Sequence, residues 1–174
     1  MAERVPRETY VWATLQMRWS LKGKDRHKAH EIGSSETINI DSPGSILIAV
    51  EDRQDLSHLA SALRIEGYEV TECCESAELL EELINFACPK KSFTHNLIIS
   101  EIGLPSSTCI EFMEVLGKHE GFPAIILITE HDYEDTQPLS HRIGTAAVFK
   151  KPFEREDLTA TAMEVIRKNS DSCH

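Results

Sequence analysis

No stretch of this sequence approaches the roughly eighteen consecutive apolar residues that a membrane-spanning helix requires, so no membrane partner is expected. The N-terminus reads M-A-E-R-V-P-R-E and lacks the apolar core of a secretory signal, which makes the cytoplasm the expected location. The cysteines lack paired spacing. Cys73, Cys74, Cys88, Cys109 and Cys173 form an odd set with no C-x-x-C spacing of a zinc or redox site, a pattern that fits reduced thiols. His27 and His30 have no cysteine or third histidine close by to complete a zinc site. Positive charge is also short: residues 1–44 hold 7 Lys+Arg against 6 Asp+Glu, and the rest holds 11 against 23. That acidic body repels nucleic acid and anionic lipid at long range, so the expected partner is a protein.

What is present is an ordinary globular balance, 41% hydrophobic and 27% charged, enough for one core. Residues 1–44 show no sustained period and are expected to form a flexible, largely disordered N-terminal arm. Within it, Trp12, Leu15 and Trp19 stand three then four residues apart, enough for one short amphipathic helix near residues 9–20.

From Ser45 the pattern changes. I-L-I-A-V is a continuous apolar run of strand length that stops at Glu51 and Asp52, and a helix follows with Leu56, Leu59, Ala60 and Leu63 on one face, capped by Asp55. The unit repeats. A strand over 69–73 precedes a helix capped by Ser76, with Leu80, Leu83, Ile84 and Ala87 on one face. N-L-I-I-S over 96–100 precedes a helix carrying Cys109, Phe112, Met113 and Leu116. A-I-I-L-I over 124–128 precedes a weak helix over 133–143, and A-V-F over 147–149 precedes a helix over 154–168 with Leu158, Ala162, Val165 and Ile166 inward. Residues 169–174 read as a tail. Short connections between alternating strands and helices predict a parallel sheet covered on both faces. Ligands of such sheets bind at the carboxyl ends of the strands, where Glu51, Asp52, Glu101, Thr129 and Lys151 stand. Three carboxylates at one end of a sheet need a cation: a hard divalent ion such as magnesium, or the ammonium of Lys151.

The ordered set I-L-I-A-V-E-D, L-I-I-S-E-I-G-L-P, I-I-L-I-T-E and A-V-F-K-K-P-F resembles the receiver domain of two-component response regulators, of the chemotaxis-regulator kind, over residues 45–168. The resemblance implies an α/β, flavodoxin-like, doubly wound sheet of five parallel strands in the order 2-1-3-4-5, and a signalling module rather than an enzyme. It implies that Glu51 and Asp52 are the acidic pair that holds magnesium, that Glu101 stands at the phosphoacceptor position, and that the backbone carbonyl of Gly103 completes the metal shell. Thr129 and Lys151 match the residues that contact the phosphoryl group, and Pro152 matches a proline that the family holds in cis.

Several residues depart from the family pattern. The acceptor is normally aspartate; Glu101 is one methylene longer, which moves its carboxyl on the order of 1.5 Å outward, where misplacement near 1 Å costs about a hundredfold in rate. Glu130 replaces a small residue beside the phosphoryl position, Cys109 replaces a glycine, and Val148 replaces the aromatic residue that relays state. Pro138 falls inside the fourth helix, which is expected to be shortened or kinked. These departures favour an atypical pseudoreceiver in phosphorelay signalling, acting by protein docking with a histidine kinase or a downstream protein, with magnesium bound weakly or not at all. A conventional receiver phosphorylated on Glu101 is the alternative. A flavodoxin-like enzyme or cofactor binder is a third reading, disfavoured because no phosphate loop follows Val50 and no Asp-x-Asp follows an apolar strand.

Overall fold

The computed structural model describes residues 43–87 and 94–171; the expected arm and its helix near 9–20 lie outside them, apart from Pro43 and Gly44. Five strands alternate with five helices: β1 Ser45–Ala49, α1 Arg53–Ile65, β2 Glu69–Cys73, α2 Ser76–Ala87, β3 Leu97–Glu101, α3 Ser107–Leu116, β4 Ala124–Thr129, α4 Tyr133–Ile143, β5 Ala147–Lys150 and α5 Arg155–Asp171. All pairings are parallel and the order is β2-β1-β3-β4-β5, the flavodoxin-like doubly wound order that was expected.

The central strands are apolar throughout because both of their faces are covered. Along β1, Ile46 and Ile48 join the layer of α1 and α5, packing with Leu56, Leu59, Leu63, Leu158 and Ala162. Leu47 and Ala49 point the other way, into the layer of α2, α3 and α4. Each large aliphatic side chain so buried contributes roughly 1.5–3 kcal/mol over leaving it in water. Edge strand β2 has only one well-covered residue, Cys73, and burial pushes its thiol pKa up to about 12.

Five expectations are corrected. Asp52, not Asp55, caps α1: its Oδ1 accepts the amides of Gln54 at 2.8 Å and Asp55 at 2.9 Å. In α2 the buried face is Leu79 and Leu83, while Ile84 is 47% exposed and Ala87 is exposed. Ser76 is the first residue of that helix, and its hydroxyl accepts the amide of Ser106 at 2.9 Å. Glu78 reaches back instead to the amides of Cys74 and Glu75, as the acid of a capping box does. Helix α4 is not shortened at Pro138; it runs 133–143, and the proline sits on its exposed side. The last helix continues to Asp171, into the expected tail, because a final turn needs no apolar anchor beyond Val165 and Ile166.

The amino end of the sheet is closed by neutral groups. Ser45 N–H donates to Asn96 Oδ1 at 2.9 Å, Asn96 N–H donates back to the Ser45 carbonyl at 2.7 Å, and Ser45 Oγ lies 2.8 Å from His95 Nδ1. No helix among the described residues is long and apolar enough to cross a membrane.

Candidate functional site

The register brings the carboxyl ends of the strands together. Ala49 pairs with Ser100, Glu101 with Ile128, and Thr129 with Lys150, so residues 51, 101, 129 and 151 emerge along one edge. Glu101 is the last residue of β3 rather than the first of the loop. Its carbonyl accepts the Leu104 amide at 3.3 Å, and the Ile102 amide donates to Ile128 at 2.8 Å, which sets the direction of the chain leaving the strand.

The Glu101 side chain is only 13% exposed, and both of its oxygens are engaged. Oε1 accepts from Lys151 Nζ at 2.7 Å, and Oε2 accepts from the backbone amide of Glu51 at 3.2 Å. Lys151 is positioned by its own amide, which donates to the Thr129 carbonyl at 2.7 Å, and the Lys151–Pro152 peptide is cis. Its ammonium also reaches Asp55 Oδ2 at 3.4 Å. Burial depresses the Lys151 pKa, but hydrogen bonds and charge from Glu101 and Asp55 more than offset it, and the value stands above that of an ordinary lysine. Glu101, Lys151, Asp55 and the Glu51 amide therefore form one hydrogen-bonded set.

The remaining expected residues stand at the same edge without joining it. The Glu51 side chain is exposed and only its backbone meets Glu101. The two backbone amides at the start of α1 hold the Asp52 carboxyl below its usual range, with smaller help from Lys151. Thr129 is buried, and its hydroxyl faces α4, accepting the His131 amide at 3.0 Å and the Thr136 hydroxyl at 3.5 Å. Gly103 is exposed, and a Cβ there would meet nothing within 4 Å, so glycine is not sterically required. Glu130 is exposed beside Thr129.

Sequence reasoning missed Asp55 as a member of the site and missed the ion pair of Lys150 with Asp132, which lowers the Asp132 pKa through that hydrogen bond. The available signal for Asp55 was its position three residues after Asp52, one helical turn along. Cys109, where glycine was expected, is fully buried; its thiol donates to the Ser76 carbonyl at 3.4 Å, within a niche that Ser76 and Ser106 line.

The sequence profile of the response regulator receiver domain matches residues 46–163. The chain belongs to this family. It is 27% identical over 123 residues to the aerobic respiration control protein ArcA of Escherichia coli K12, covering 71% of this chain and 48% of that protein. It is 29% identical over 127 residues to YkoG of Bacillus subtilis, an uncharacterised transcriptional regulatory protein, covering 72% and 52%. The chain thus spans about half the length of these curated relatives. Among solved structures, a CheY-like receiver from Methanospirillum hungatei superposes with a TM-score of 0.61 at 25% identity, covering 74% of this chain and 98% of that one. The chemotaxis regulator CheY4 of Vibrio cholerae, at 22% identity and a TM-score of 0.57, covers 70% and 98% and supports the fold.

Receiver domains typically bind magnesium at the phosphorylation site, so the donor set of this receiver has to be weighed against that ion. Magnesium demands several oxygens in near-octahedral array. Here both Glu101 oxygens are taken by protein donors, and Asp52 Oδ1 holds the helix start. Among the described residues no three Asp, Glu, His or Cys side chains are grouped so as to hold a metal ion. In this arrangement the residues do not fit the ion.

Proposed function

We propose that this receiver acts in two-component signalling without being phosphorylated, as a cytoplasmic pseudoreceiver that docks on a protein partner. The observation that carries the reading is the 2.7 Å ion pair between Glu101 and Lys151. The lysine at this place in the family contacts a transient phosphoryl group; here the side chain at the acceptor position brings its own carboxylate to the ammonium. Glutamate supplies about one negative charge where phosphorylation would supply nearly two, so the imitation is partial but permanent. Glu130 at the rim adds repulsion against an incoming phosphate. The partner, a histidine kinase or a downstream signalling protein, meets the face of α4, β5 and α5 or the N-terminal arm. The acidic body makes nucleic acid the weaker candidate.

Incubation with acetyl phosphate and magnesium, followed by intact-mass analysis and peptide mapping, tests the reading. The expected spectrum is that of the unmodified chain. A phosphoryl adduct on Glu101 would instead establish a conventional receiver.

A further inference from the structure

From the arrangement of charges around Glu101 we infer that Lys151 is an internal cation that excludes a divalent ion, so that protein ammonium and metal are mutually exclusive occupants of one site. It rests on the same Glu101–Lys151 pair as the docking reading, but is tested by metal binding and not by phosphorylation.

Four carboxylates stand at the carboxyl end of β1 and β3 and the start of α1: Glu51, Asp52, Asp55 and Glu101. Like charges at one end of a sheet raise one another's energy, and a cation placed beside them lowers it. The ammonium of Lys151 contacts two of the four, at 2.7 Å and 3.4 Å. It is carried on a short segment that the Thr129 carbonyl pins through the Lys151 amide, so the cation is built into the fold rather than recruited.

For magnesium to enter, Glu101 would have to give up Lys151, the Glu51 amide or both. The Glu101 side chain is 13% exposed and that of Lys151 is 23% exposed, and at such burial a broken pair leaves a poorly solvated charge behind. Asp52 is committed as well: turning Oδ1 towards a metal would strip the cap from the Gln54 and Asp55 amides at the start of α1. What is left over is the exposed Glu51 carboxylate, the second oxygen of Asp52 and the backbone around Gly103, so an entering ion would gain no share of Glu101 while Lys151 holds it. Removing the ammonium reverses the balance. With Lys151 neutralised, Glu101 and Asp55 lose that counter-charge, and an external cation can take its place.

The test is Mn2+ as a paramagnetic probe, added to the full 15N-labelled chain and competed with millimolar Mg2+. In the wild type, the amides of Glu51, Asp52 and Gly103 should broaden no more than amides beside exposed acidic residues elsewhere, such as Glu154 and Glu156. Lys151→Met should gain selective broadening at those three amides, with binding at least about tenfold tighter and reversed by Mg2+. Lys151→Arg, which keeps the charge, should behave as the wild type. Selective, Mg2+-competed broadening in the wild type overturns the inference without recourse to any variant. A folded Lys151→Met that gains no binding also overturns it. Lys151→Gln serves in its place should the methionine variant not fold, with the same two outcomes.

Discussion

The two ends of the parallel sheet are capped by short polar side chains held in opposite ways. At the amino end, Ser45, Asn96 and His95 exchange hydrogen bonds among neutral groups, and His95 Nε2 lies 3.6 Å from Glu82. Those bonds satisfy backbone groups that the sheet buries, as folding requires. At the carboxyl end, carboxylates outnumber cations and one ammonium holds Glu101 and Asp55. A surplus of like charge serves no packing purpose and costs stability, as the proposed docking reading requires of its site. The difference is one of electrostatics: neutral hydrogen bonds close one end of the sheet and an ion pair closes the other.

The comparison breaks most readily at Lys151. Lys151→Met should destabilise the fold by about 2–3 kcal/mol in urea denaturation, because it strands a largely buried carboxylate. A cost near zero would mean that the carboxyl end does not depend on this cation. At the other end, Asn96→Ala should cost about 1–2 kcal/mol by removing the acceptor of the buried Ser45 amide. That cost should be insensitive to salt, since no charge is lost, whereas the Lys151 effect should shrink as salt rises; equal salt responses would erase the distinction.

A smaller, sharper contrast lies in pH. Burial holds the His95 pKa below its ordinary 6.5, with Glu82 opposing. The folded state therefore binds fewer protons than the unfolded chain, so this contribution is present above pH 6.5 and is lost as pH falls below it. His95→Gln should flatten the stability profile in that mildly acid range. Lys151 has the opposite sign: its raised pKa gives a contribution that is complete below 10.5 and lost as pH rises past it. Cys73, at the carboxyl end of β2, adds a loss beginning above 9.0, because its folded pKa is about 12. Amide hydrogen exchange should then show the amino end loosening first in mild acid and the carboxyl end loosening first in alkali. The same end opening first under both conditions would contradict the assignment.

The sheet was legible because β1, β3 and β4 are apolar runs of strand length, and parallel burial on both faces leaves no other use for such runs. Its order followed from the same alternation together with the family resemblance. The inward face of α2 was not legible: Leu79-Leu80 and Leu83-Ile84 offer two helical phases one residue apart, and only the packing of the layer selects Leu79 and Leu83. The cap of α1 failed for a similar reason, since Asp52 and Asp55 are both sound capping residues and sequence does not reveal where the first turn closes. At the site, residue types and their edge of the sheet could be read, but not their partners. Whether Glu101 turns to a metal, to Thr129 or to Lys151 depends on side-chain torsions that periodicity does not encode. The Thr129 hydroxyl, matched by the resemblance to a phosphoryl contact, accepts the His131 amide at the start of α4.

The central claim is that Glu101 and Lys151 act as one unit. A double-mutant cycle of Glu101→Gln and Lys151→Met, read by urea denaturation at neutral pH and low salt, measures that directly. A coupling of about 1–3 kcal/mol is predicted for a contact of this burial. A coupling indistinguishable from zero would contradict it, leaving Glu101 as an ordinary strand-end carboxylate.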